Sequence, residues 1–581
     1  MIVKDLEKII ALAAEQYLKS INFSVQPALT FEIERPEKQF GDYATNIVFN
    51  LAKISKKSIS EISQNLILLI KKDPLSSKYF EKIEERNGFL NFWLRSEVLN
   101  QFLDEWQIPK RKLNKAKGTI VIDYSSPNIS KPFGIGHFRS TNIGAALKNI
   151  HKYLGYQVIG DNHLGDWGTQ FGALLYQIKN TILKDQPKWR VGYLLSRLTL
   201  KDLEKLYVDF NRALEKQPEL QNEARTWFQK LESGDKEARL IWKFCVKISL
   251  KEFKRLYKLL GVKFECFYGE SFYEDKMSSV INELKEKSLA QISEGALVVF
   301  YPDSNLPPGI VLKSNQSTTY LTRDLAALKY RLNRWQPKKI IYEVGAEQTL
   351  HFQQLFLTAQ LLGWIKETEL IHIAHGLFES EKGKLSTRAG QTVYLEDVIN
   401  EAIKRVEELL AQNAPKISYL KRKKLIKQIA IGALKYNDLS QHYSRNIVFD
   451  WNKILNLTGN SGPYLQYTYA RSRSVLLKAP FSCFSRRFSF NTLPSLEKEI
   501  LRQISQFEEV IISSARECSP HLISTYLFEL AQLYNQLYNN YPILKAEKRE
   551  KRILRLKITR SVANIIKIGL ELLGIETPLR M

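Results

Sequence analysis

The chain reads as an α/β protein with an all-helical C-terminal part. A parallel sheet, interrupted by a helical insertion, follows a small N-terminal α/β module. Three observations carry this. Apolar strand-like runs alternate with helical periodicity between residues 118 and 373. A charged, helix-patterned stretch, about 180–290, interrupts that alternation. From about 395 to the end the pattern is nearly all helical. At 581 residues the chain exceeds what one core serves, about 250 to 300 residues, so several domains are expected.

The elements follow in order. Met1–Lys8 carries charge of both signs and predicts an amphipathic helix, not a signal or transit peptide. Phe31–Glu34 and Asn87–Leu94 predict strands. The basic linker Pro109–Lys112 closes a first module, 1–112. Gly118–Ser126 predicts a buried strand, followed by a Pro/Gly-rich loop, a helix from near Phe138 to before Gly155, and a second strand, Tyr156–Asp161. That is a β-α-β unit, whose first turn is where nucleotide phosphates bind. Residues 113–395 therefore read as a Rossmann-type domain carrying the insertion. Ala296–Phe300, Lys339–Tyr342 and Leu370–Ile373 are expected to continue its parallel sheet. The helical remainder divides into a connecting region, 396–455, and a terminal bundle, 456–581.

The charge balance narrows the partners. The chain has 86 Lys plus Arg against 61 Asp plus Glu, a net +25. Such a field attracts polyanions. Nucleic acid is the first candidate and an anionic membrane surface the second. Basic runs at Lys421–Lys424 and Lys548–Arg552, with Arg555, Lys557 and Arg560 after them, suggest an RNA-facing helical surface. Cys245, Cys266, Cys483 and Cys518 are far apart, which argues against a zinc ribbon or disulfide framework. Buried free thiols in a reducing compartment are expected. No apolar run reaches the roughly 18 residues of a membrane span.

Two stretches carry chemistry. In Ser126-Pro-Asn-Ile-Ser-Lys-Pro-Phe-Gly-Ile-Gly-His137, the small Gly134 and Gly136 let backbone approach a ligand at a helix N-terminus. His137 can donate a hydrogen bond to phosphate. Lys384-Leu-Ser386-Thr-Arg388 lies in a polar, Gly-bounded, cation-rich loop suited to closing on a triphosphate, with Lys384 as the point charge. Tyr320 and Asp324 stand four apart, on one face if 320–332 is helical. By spacing alone such a pair is usually plain helix surface.

The first stretch resembles the HIGH motif of class I aminoacyl-tRNA synthetases, and the second resembles KMSKS. Ser126–Phe133 with Arg139-Ser140-Thr141, Asp161–Gly172, Gly269–Tyr273, Gly432–Tyr436, Asp450-Trp451 and Gly462–Tyr467 resemble arginyl-tRNA synthetases. So do Phe40–Asn46 near the start and Leu572–Ile575 near the end, so the resemblance covers essentially the whole chain. Two positions depart from the pattern: Gly134 replaces the first HIGH histidine, and Thr387 replaces the second KMSKS lysine. In the family a lysine just upstream of HIGH is thought to stand in for the latter, and Lys131 occupies that place.

The resemblance implies ligation of L-arginine to tRNA-Arg, with Mg-ATP as substrate and arginyl-adenylate as intermediate. It implies Lys131, His137 and Lys384 as catalytic groups, and Gly134, Gly136, His137, Lys384 and Ser386 around ATP. It implies Asn128, His163, Tyr320, Asp324 and Gln348 around arginine. No resident metal is expected, and a cytoplasmic monomer is. The N-terminal module would touch the tRNA elbow, 396–455 the stem, and the terminal helices the anticodon loop. Tyr464, Tyr467, Arg471 and Tyr538 are candidates for base contacts there. The alternative reading is a catalytically weakened tRNA-binding paralogue, supported by Gly134 and Thr387. A class I enzyme for another amino acid, or a nucleotidyl transferase, is a second rival.

Overall fold

The computed structural model describes residues 2–23, 29–107, 117–302, 304–380, 383–384, 393–411, 418–480 and 493–581. The chain forms two compact units. One comprises Met1–Lys110, Ser472–Glu508 and Glu529–Ile565; the other Arg111–Arg471, Glu509–Phe528 and Ile566–Met581.

The first unit begins with the expected helix, Ile2–Ser20, whose Leu6, Ile9, Ile10, Ala13 and Tyr17 are buried at helical spacing. Its four-stranded antiparallel sheet runs in the order Ile33–Glu34, Tyr43–Thr45, Phe89–Leu94, Phe80–Arg86. Two expectations change here. Asn87-Gly88 is not strand but the turn of a hairpin, both residues at positive φ (51° and 84°). Asn-Gly is the pair that such a two-residue turn favours. The partner strand Phe80–Arg86 escaped the sequence reading because its Glu81, Lys82, Glu84 and Glu85 hide the alternation. The same unit brings late helices to the early module. Trp106 meets Phe507 edge-on at 5.1 Å, and Arg502 pairs with the buried Asp42 at 3.0 Å.

In the second unit a four-stranded parallel sheet runs in the order Glu369–His375, Lys339–Gly345, Thr119–Asp123, Gln157–Asp161. Ile341 lies opposite both Ile122 and Ile371. These strands carry near-continuous apolar runs, as strands of a covered parallel sheet do. Helix Ile135–Tyr153 connects the two strands of the predicted β-α-β unit. The core packed on the other helices includes Val121, Ile340, Leu325, Leu328, Phe352 and Leu355.

Ala296–Val299 does not join this sheet. It sits between Ala290–Ser293 and Gly309–Leu312 in a separate three-stranded antiparallel sheet. A short apolar run reads the same in either setting. Glu294-Gly295, both at positive φ, turns the chain back into a hairpin and decides the matter. The insertion is helical as expected, with Lys188–Arg197, Leu200–Lys216, Leu220–Glu232 and Lys236–Leu260.

After residue 395 the described chain is helical, apart from the short strand Ile447–Val448, which pairs in parallel with Phe378-Glu379. The basic surface expected on the last helix, Arg549–Leu572, is partly internal. Arg555 is buried against Glu497 at 2.9 Å and Lys557 against Asp104 at 2.8 Å. Among the cysteines, Cys245 and Cys518 are buried thiols, while Cys266 is only half-buried, and Cys483 lies outside the described residues. No helix among the described residues is long and apolar enough to cross a membrane.

Candidate active site

The C-terminal ends of all four parallel strands open on one edge of the sheet, the edge where open α/β sheets bind ligands. Strand Thr119–Asp123 runs into the loop that leads to helix Ile135–Tyr153. Ser125, Ser126 and Ser130 in this loop all have positive φ (76°, 41° and 67°). Non-glycine residues held there are strained, by about 1–3 kcal/mol each. The surrounding polar groups hold them. Ser140 Oγ accepts from Ser125 N (2.9 Å), Asn162 Oδ1 from Ser126 N (3.2 Å) and Ser249 Oγ from Ser130 N (3.0 Å). Ser126 Oγ in turn donates to Asp123 Oδ1 at 3.0 Å. The serines and asparagines of the two long motifs thus fix a backbone shape.

Gly134 precedes the helix, and its N–H donates to His137 Nδ1 at 3.2 Å. That bond requires an unprotonated Nδ1 and leaves Nε2–H as the donor of a neutral ring. Burial, then the charges of Lys131 and His375, push His137 down to about 4. Gly136 is exposed, and a Cβ there would meet nothing within 4 Å. Lys131 is exposed too, its Nζ 5.7 Å from the ring centroid of Tyr207 on the insertion. The segment after the second motif pairs with this loop: Ile135 N donates to Val393 O (3.1 Å) and Leu395 N to Phe133 O (3.0 Å). The second motif itself is described only at Gly383-Lys384, whose backbone pairs with Glu379-Ser380. The Lys384 side chain, Ser386 and Thr387 lie outside the described residues.

A second cluster gathers beside this loop. Tyr320 is the first residue of helix Tyr320–Trp335, so the condition for the pair to share a face is met. Asp324, one turn on, has His351 Nε2 at 2.6 Å from Oδ2 and His163 Nε2 at 3.5 Å from Oδ1. Burial would raise the Asp324 carboxyl, but His351, His163 and Arg331 hold it below the usual range. Burial would lower His163; Asp123 and Asp324 raise it above the usual value. Arg323 lies 5.6 Å from the Tyr320 ring centroid and 3.5 Å from Glu270 Oε2. Burial pushes Glu270 up to about 7 against His163 and Arg323. Asn128 is bridged to Gly165, two residues after His163, through Ile129 N to Gly165 O (3.0 Å). Gln348 is exposed in a short 3-10 turn, three residues before His351. Of the five residues expected around arginine, the structure joins His163, Tyr320 and Asp324 in one cluster. It sets Asn128 on the adjoining strand-end loop and Gln348 in the turn leading to His351.

Comparison with known proteins matches this arrangement along the whole chain. The model of the class I tRNA synthetase (R) catalytic domain matches residues 98–451. The arginyl tRNA synthetase N-terminal domain matches 4–94 and the DALR anticodon binding domain 465–581. An arginine–tRNA ligase of Halothermothrix orenii is 38% identical over 94% of both chains. One of Clostridium kluyveri is 37% identical over 98% of this chain and 99% of that one. The chain belongs to the arginyl-tRNA synthetase family. The solved arginyl-tRNA synthetase of Plasmodium falciparum superposes with a TM-score of 0.84 at 25% identity, over 100% of this chain and 99% of that one. That of Thermus thermophilus, 23% identical, shares the fold over the full length of both, with a TM-score of 0.81.

Reading the sequence missed three groups at the site. Glu270 appeared only as part of a motif string, and its half-buried place beside Asp324 shows only in the fold. His351, the nearest partner of Asp324, comes from a different helix. Arg331 is the third. It is fully buried and donates to Asp123 at 2.7 Å and to Asp161 at 2.8 Å, tying together the ends of adjacent strands. Spacing held one signal: Asp324 and Arg331 are seven apart, on one helix face.

The RNA-contact candidates divide. Tyr464 is buried against Phe528 (5.7 Å), a core role. Tyr467 and Tyr538 are exposed, and Arg471 lies 4.7 Å over the Tyr467 ring.

Proposed function

We infer that the chain ligates L-arginine to tRNA-Arg with ATP, through arginyl-adenylate. The observation that carries this is its near-full-length similarity to arginine–tRNA ligases. A carboxylate cluster of the right chemistry supports it: Asp324 and Glu270 offer acceptors to a planar fork of donors. Lysine, a single point charge, would leave acceptors unpaired there.

The reaction has two steps. The arginine carboxylate attacks the α-phosphorus of Mg-ATP in line, and pyrophosphate leaves. The 2′-OH of the terminal adenosine then attacks the adenylate's carbonyl carbon, and AMP leaves. The first nucleophile is already an anion, so the protein's task is positioning and charge stabilisation. Neutral His137 offers Nε2–H to a phosphate oxygen. Lys131 and Lys384 neutralise the triphosphate, with Gly134, Gly136 and Ser386 lining it. Asn128, His163, Tyr320 and Gln348 complete the arginine side around Asp324. Residues 1–112 touch the tRNA elbow, 396–455 the stem and 456–581 the anticodon loop. The enzyme acts as a cytoplasmic monomer.

The test is charging of purified tRNA-Arg with labelled arginine and Mg-ATP. Charging that disappears without ATP and in His137→Ala is the expected result. Tight tRNA binding without charging would instead point to the non-catalytic paralogue.

A further inference from the structure

The Asp324 carboxylate is occupied within the protein itself. His351 reaches it from helix Thr349–Leu361 at 2.6 Å, and His163 reaches the other oxygen at 3.5 Å. The histidine is held in place: neighbouring Phe352 is buried and stacks on His372, with centroids 4.4 Å apart. A partly buried carboxylate without a partner is costly, so a cation beside it stabilises the empty pocket. A guanidinium paired with both oxygens of the same carboxylate shares the one that His351 holds. Two positive charges on one oxygen repel each other, and the imidazole is the one that can become neutral.

We propose that His351 is a stand-in for the substrate's guanidinium, cationic against Asp324 in the empty enzyme and deprotonated when arginine takes its place. This rests on the reading of Asp324 as the guanidinium's partner. The proton leaves Nε2 for solvent as the guanidinium, already charged, pairs with the carboxylate, so net charge at the pocket is conserved. His351 is then a specificity residue. A fork that makes two parallel bonds displaces a charged imidazole, whereas an ammonium making one is a weaker competitor.

The charged neighbours are consistent with this. Facing His351 are Asp324 from helix Tyr320–Trp335 and His372 from strand Glu369–His375. His163, Arg331 and Glu270 act on it through Asp324, and Arg323 pairs with Glu270. Burial alone would lower His351, and the bond and charge of Asp324 raise it above 6.5. When guanidinium takes Asp324, burial remains and the raising cause goes. The proton is therefore released from below 6.5 up to the raised value. Arginine affinity rises with pH through that window, by at most about tenfold per pH unit for each proton released. Glu270, pushed up to about 7, also loses a proton to an incoming cation, so the comparison must be between variants.

The experiment is calorimetric titration of the full chain with L-arginine, between pH 6 and 8, in buffers of different ionisation enthalpy. Wild type is expected to release more protons than His351→Gln, with the difference largest between pH 6.5 and the raised value of His351. The variant should also show a shallower gain in arginine affinity with pH, and lose discrimination against lysine. Equal release by the two chains overturns the proposal while leaving the pocket assignment intact. Unchanged arginine binding in Asp324→Asn overturns both. Should His351→Gln fail to fold, NMR of labelled histidines in the wild type decides. Titrated from pH 6 upward, the His351 ring must lose its proton at a higher pH in the free chain than in the arginine complex. A ring in the same state in both overturns it.

Discussion

Replacing Asp324 by Asn removes one negative charge and keeps the side chain's shape. Hydrogen bonds to charged groups are worth about 1.5–3 kcal/mol, so the arginine KM should rise by about 10- to 100-fold. The ATP KM should change little, because Lys131 and His137 lie on a different segment, the loop and first helical turn after strand Thr119–Asp123. Steady-state charging with each substrate varied in turn measures both, and equal losses would remove Asp324 from the arginine side. Gly165 shows a different residue-scale constraint. A Cβ there would lie 2.1 Å from Asn128 Oδ1, so any side chain at Gly165 displaces the Asn128 amide from its place beside the bridge.

At the scale of elements, Arg331 holds the sheet's ligand-binding edge together. Its helix contributes one guanidinium to two carboxylates on adjacent strands, Asp123 and Asp161, all three buried. Burial would lower the guanidinium's pKa, and the two carboxylates raise it well above the ordinary value. Arg331→Met leaves both carboxylates without their cation. Breaking a buried pair in this way costs about 3–5 kcal/mol. Thermal unfolding of the full chain should show the loss, and an unchanged midpoint would mean the edge is held otherwise. Since Ser126 Oγ donates to the same Asp123, the strained serine loop should loosen as well.

At the scale of the molecule, +25 charges dominate encounter with RNA. Neutralising several phosphates makes affinity fall steeply with salt. Between about 50 and 200 mM salt, the KM for tRNA is expected to rise at least tenfold, and the KM for arginine much less. A tRNA KM that ignores salt would place recognition in uncharged contacts. The interior positions of Arg555 and Lys557 already show that not every basic residue serves that field.

The sequence by itself determined the fold class, the β-α-β unit and the helical insertion. It also set Tyr320 and Asp324 at helical spacing, and pointed to the family. Those signals are local: periodicity over a few turns, and motif strings whose residues are consecutive. Tertiary structure decided what local signals cannot carry. Ala296–Val299 left the parallel sheet because a hairpin turn gave it antiparallel partners. His351, Glu270 and Arg331 became site residues because chain segments far apart in sequence converge at the sheet's edge. Arg555 and Lys557 turned inward because Glu497 and Asp104, 58 and 453 residues away, were there to pair with them. Charge and hydrogen bonding act through space, so a partner's identity is written in the sequence but its proximity is not.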